Sequence, residues 1–135
     1  MLDVLALPGA TAMVHGTPID DRGCVPAEAG GADAVVRFAQ TGGSAEVRTP
    51  APPLRGTLRR LSRGALATWL APLGCGAERR VVYAVALDAA GQPAGAVIPV
   101  GDADRYAVAS EGDDVDLWLQ HGEAVTWVRL RCGGR

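Results

Sequence analysis

The chain has no lysine and no asparagine, and its 135 residues include only two isoleucines (Ile19 and Ile98), three cysteines and six aromatics. Lysine, asparagine and isoleucine have A/T-rich codons, so their scarcity points to a GC-rich coding sequence and an expected bacterial source. Cys24, Cys75 and Cys132 are odd in number and far apart. Neither a disulfide framework nor a Cys-x-x-Cys zinc site is expected from them. No apolar run approaches the ~20 residues of a membrane span. Asp3 stands where a secretory leader would carry Lys or Arg, so the expected location is the cytoplasm.

What is present reads as a globular β-rich chain. Apolar residues make up 48%, although twenty-four of them are alanine. Val, Leu, Ile and Phe together number 31, more than disordered chains carry. Eighteen glycines and nine prolines suit short strands punctuated by turns better than a helical bundle. The length is that of one domain with its own core, read here as a single β-rich domain over 1–135.

The net charge of −2 conceals a segregation. Residues 1–46 carry a net −4, residues 47–80 carry seven arginines against Glu78 for a net +6, and residues 81–135 return to −4. A basic middle can mark an anionic partner, but pairing with the acidic flanks of the same chain is the ordinary explanation. Without lysine, arginine is the only basic residue the chain could recruit, which weakens the cluster as a sign of anion specificity.

Along the chain, residues 2–7 and 11–17 read as strands, and 20–33 reads as a loop from its Asp, Gly and Pro content. Residues 34–40 and 45–49 flank Thr41-Gly42-Gly43-Ser44, a hairpin signal. From Leu54 the period changes. Leu54, Leu58, Leu61, Ala65, Thr68 and Trp69 recur at three- and four-residue spacing, predicting an amphipathic helix over 57–71, capped by Thr57 and ended by Pro72 and Gly74. Gly56 and Gly64 weaken that helix, and a strand pair turning at Ser62-Arg63-Gly64 is the competing reading. Two-residue alternation then returns over 81–87, 94–100, 105–110, 115–120 and 124–131. The expected fold is mainly β: one antiparallel β-sandwich or small barrel with a single α-helix.

Arg55, Arg59, Arg60, Arg63, Arg79 and Arg80 are the most suggestive binding residues, because guanidinium forks grip carboxylates bidentately. Nucleic acid is the weaker reading of the 55–80 segment, since it would want more positive charge and interleaved aromatics. Trp118, Trp127 and Arg129 form a second group. Counting from the His121–Glu123 turn puts 120 against 124 and 118 near 126. The two indoles are then neighbours, serving either as core filling, the favoured reading, or as a binding surface. His15 with Asp20 or Asp21 is the densest acid–base collection, yet it matches no hydrolase spacing. Cys75 between two glycines reads as a structural turn cysteine, and the acids at 102–104 and 111–116 as solvated turn residues rather than a calcium site.

No motif ties the chain to a family. The expected function is a non-catalytic cytoplasmic module that captures a peptide or partner protein, acidic in preference, by strand addition and an arginine-rich helix face. A peptide-presenting accessory role in a bacterial biosynthetic pathway fits that profile. A small β-barrel enzyme of cyclase or isomerase type, using His15 with Asp20 or Asp21, is the alternative. No cofactor, metal or membrane partner is expected.

Overall fold

The computed structural model describes the backbone of residues 3–7, 10–16, 34–40 and 43–49, and backbone with side chains for 54–72 and 78–132. Eleven antiparallel strands form three sheets among these residues. The first, in the order β1 to β4, contains β1 (Asp3–Leu7), β2 (Ala10–Gly16), β3 (Ala34–Gln40) and β4 (Gly43–Thr49). The second contains β5 (Arg55–Leu61), β6 (Gly64–Pro72), β7 (Arg80–Leu87) and β8 (Ile98–Asp102). The third has β10 (Asp114–His121) at its centre, between β9 (Arg105–Glu111) and β11 (Ala124–Arg131).

The helix expected over 57–71 is absent. Those residues are β5 and β6, joined by a tight turn at Ser62-Arg63 with Leu61 opposite Gly64. The period failed because β6 is buried along its whole length. A strand covered on both faces loses its apolar–polar alternation and reads as a continuous apolar run. Leu66 and Leu70 join one core cluster, while Ala65, Ala67, Trp69 and Ala71 join another. Leu58 and Leu61, which looked like one helical stripe, belong to opposite faces of β5. Gly64 was the informative residue. A Cβ there would collide with the Leu87 carbonyl oxygen and sit 2.9 Å from Asp88, so β6 can start beside the end of β7 only with glycine.

The second and third sheets meet face to face. Leu61, Leu66, Leu70, Val82 and Ala84 from one side close on Val115, Leu117 and Leu119 from the other. Two residues carry the chain between the sheets. The Ala103 amide donates to the Arg80 carbonyl at 3.1 Å, and the Asp104 amide donates to the Gln120 carbonyl at 2.7 Å. Each sheet therefore anchors one end of the corner. Trp69 is fully buried on the other face of β6 and stacks on Tyr83 with centroids 5.9 Å apart.

The remaining strand expectations hold closely. The 34–40 hairpin partner begins at Gly43, two residues early, and β9, β10 and β11 lie where alternation put them. The return strand after β7 differs. Before β8 begins at Ile98 there is an isolated bridge of Pro93 to Leu87, with the Ala94 amide donating to the Ala86 carbonyl at 2.8 Å, and a bulge at Val82/Tyr83 shifts the β8 register. No helix long and apolar enough to cross a membrane occurs among the described residues.

Candidate functional site

The site is built by the three-stranded sheet. Both of its hairpins turn through two residues, Gly112-Asp113 and Gly122-Glu123, with φ near 60° at each glycine. A positive φ at the first central residue alone is the type II′ arrangement, which matches strand twist and fixes register. His121 consequently faces Ala124, and Trp118 faces Trp127 directly, one residue out from the register counted on sequence.

That register sorts side chains into two faces. Val115, Leu117 and Leu119 point inward and are buried. Outward lie four rows across β9, β10 and β11: Arg105–Gln120–Val125, Ala107–Trp118–Trp127, Ala109–Asp116–Arg129 and Glu111–Asp114–Arg131. Trp118 is 40% exposed and Trp127 57% exposed, so the indoles are surface and not the core filling that was favoured. Asp116 organises them. It accepts from Trp127 Nε1 at 3.1 Å and from Arg129 Nε and Nη2 at 2.8 and 3.2 Å, while the Arg129 guanidinium lies 5.3 Å over the Trp127 ring. The guanidinium holds the Asp116 carboxyl below its ordinary range, with the indole N–H adding to the effect. Arg131 reaches Asp114 only at 4.0 Å and stays highly exposed.

The two long edges of this sheet differ. The Cys132 amide donates to the Asp113 carbonyl at 2.8 Å, which fixes the ladder parity. Even-numbered residues of β11 bond to β10, and Val125, Trp127, Arg129 and Arg131 turn their N–H and C=O groups away from it. No described strand takes them up. Beside the end of this edge the core is open. A groove of about 280 Å³ is lined by Leu66, Ala84, Val85, Ile98, Leu130 and Cys132, among others. It exists because the 94–97 segment does not pair continuously with β7. Burial, helped by Asp113 and Asp114, pushes the Cys132 thiol up, which disfavours its thiolate form.

The six arginines of the basic segment do not form one patch. Arg55 opposes Leu70 and Arg80 opposes Pro72 at one end of the sheet, whereas Arg63 sits in the turn at the other. Arg59 is half-buried, donating to the Leu58 and Val108 carbonyls at 3.3 and 3.5 Å. Arg60, next to it on β5, belongs to the opposite face. Arg79 pairs with Asp102 at 2.9 Å. The arginine-rich helix face is therefore replaced by scattered strand and turn arginines. Trp118, Trp127 and Arg129 are brought together as expected. Ile98 and the groove were missed. The signal for them was Gly95, Pro93 and Pro99 breaking the strand expected over 94–100.

The acids weighed for calcium serve local contacts: Asp104 accepts from the Gly122 amide at 2.8 Å, and Asp113 from Ser62. His15 lies on β2 opposite Arg37, and its side chain is outside the described residues, as are Asp20, Asp21, Cys24 and Cys75. Comparison with family models, curated proteins and solved structures returned no match.

Proposed function

We propose that the chain is a non-catalytic binding module that captures an extended peptide, or an extended segment of a partner protein, as an added strand along β11. The observation that carries this reading is an eight-residue edge strand, unpaired among the described residues, that runs into an open apolar groove. Outward donors and acceptors on four alternate residues supply affinity for any backbone, and the groove supplies choice among side chains. In the second sheet, Pro99 removes a donor from the edge strand β8, and β5 lies against β9. The arginine component of the expected function moves from the lost helix to Arg129 and Arg131. We read the two facing sheets as a β-sandwich. A cytoplasmic accessory protein that presents a peptide to modifying enzymes in a bacterial pathway is the setting this reading fits, supported by composition alone.

Selection of a random displayed peptide library on the purified protein tests the proposal. Enriched peptides should lose at least tenfold in affinity against Val125→Pro and Arg131→Pro, each of which deletes one outward N–H without touching the β10 ladder. Ser110→Pro, on the outer side of β9, should leave binding unchanged. Peptides that bind all of these variants alike would refute strand addition at β11.

A further inference from the structure

The edge and the groove together specify what the captured segment should look like, and this inference rests on the strand-addition reading above. Leu130 points into the groove, while its neighbours Arg129 and Arg131 belong to the exposed outer face. A strand laid beside β11 alternates in the same way, because facing residues of a ladder share a face. The residue opposite Leu130 occupies a non-hydrogen-bonded position, where facing side chains approach most closely. Its side chain enters the groove between Leu130 and Ile98, over Leu66 and Ala84. A volume of about 280 Å³ is several times the ~30 Å³ share of one water molecule, so the space fits a large apolar side chain rather than a bridging solvent. Ile98 is 44% exposed in the free protein and would gain cover from such an anchor.

The residues on either side of that anchor point outward, beside Arg129 and Arg131. Arg129 already has a bidentate carboxylate in Asp116, whereas Arg131 has only the long contact to Asp114. An acidic side chain opposite Arg131 completes a charge pair that the free protein leaves loose. We propose that the partner is a segment of the pattern acid–large apolar–acid, its apolar side chain seated in the Leu130–Ile98 groove and its acids alongside Arg131 and Arg129.

Acetylated, amidated peptides of sequence Thr-Thr-Glu-Leu-Glu-Thr-Thr provide the probe, with binding followed by calorimetry and by shifts of the β11 amides. The parent should bind. Replacing Leu by Ala, or using the Ile98→Ser protein, should weaken it about tenfold or more. Replacing both Glu by Gln should weaken it several-fold and remove most of its salt dependence, as should Arg131→Gln. Equal binding of the parent, Ala and Gln peptides would overturn the pattern. In that case loss of binding on N-methylation of the peptide backbone would leave strand addition standing. Insensitivity to N-methylation would instead remove strand addition itself. Absence of binding by the parent would also overturn the pattern, with the library selection deciding strand addition separately.

Discussion

The outer edges of β9 and β11 belong to the same small sheet, yet one is tied shut and the other is open. On the β9 side, Tyr106 Oη lies 3.1 Å from Thr68 Oγ1, which lies 2.6 Å from Thr57 Oγ1. Arg59 reaches across to the Val108 carbonyl, and Asp113 grips the Ser62 turn through its hydroxyl and amide at 2.7 and 2.8 Å. On the β11 side there is a groove. The polar ties sit where two sheets must be held in register, and the apolar gap sits where main-chain groups are left unpaired. A core can keep one edge free because the strand beneath it, β10, is already buried on its inner face.

The largest effect should separate the two faces of β10 and β11. Leu117→Ala removes a fully buried side chain at the junction of the sheets and should cost about 2–5 kcal/mol in urea unfolding. Trp127→Ala, on the exposed face, should cost far less, about 1 kcal/mol or below. A Trp127 variant as damaging as the Leu117 variant would make the indole a structural residue and erase the distinction between faces.

Next in size is the closed edge itself. Burial pushes the Tyr106 phenol up, with the hydrogen bonds to Thr68 and Thr57 opposing, so the group is neutral and its O–H is a partner in the chain. Tyr106→Phe keeps the ring and deletes one hydrogen bond of a half-buried network, with an expected cost of about 1 kcal/mol. Peptide binding at β11 should not change. If it falls, the two edges are coupled through the core, and the β9 side regulates the β11 side.

Much of this fold was legible in the residues. Wherever one face of a strand meets water, as in β9, β10 and β11, alternation located it to within a residue or so. β6 was not legible, because burial on both faces erases the period-2 pattern, and its leucines happened to fall at helical spacing across a two-residue turn. The candidate site was half legible. Trp118, Trp127 and Arg129 announce themselves by type, but their exposure depends on which face of β10 meets the second sheet, a tertiary fact. The groove depends on β8 starting late, and prolines mark that without measuring it.

The smallest effect concerns the two carboxylates that serve the two edges. Ser62 holds the Asp113 carboxyl below its ordinary value of 3.8, first through its hydroxyl and then through its amide. Asp116 is held down by Arg129 within the open face. In both cases the folded state favours the ionised form, so the stabilisation is complete above the unfolded value and disappears as pH falls through the lower folded value. Both groups are half-buried and keep contact with solvent, so the gain in global stability is small. The local consequences differ. Asp113 ties one sheet to the other, whereas Asp116 orders side chains within one sheet. Asp113→Asn should therefore speed hydrogen exchange at the Ser62 amide at neutral pH, and the difference from wild type should disappear as pH falls through the lowered folded value of Asp113. Asp116→Asn should leave Ser62 exchange unchanged and instead free the Trp127 ring, read as a change in its fluorescence. Equal exchange at Ser62 in wild type and both variants would mean that the closed edge is held by the Tyr106 chain and Arg59 without Asp113.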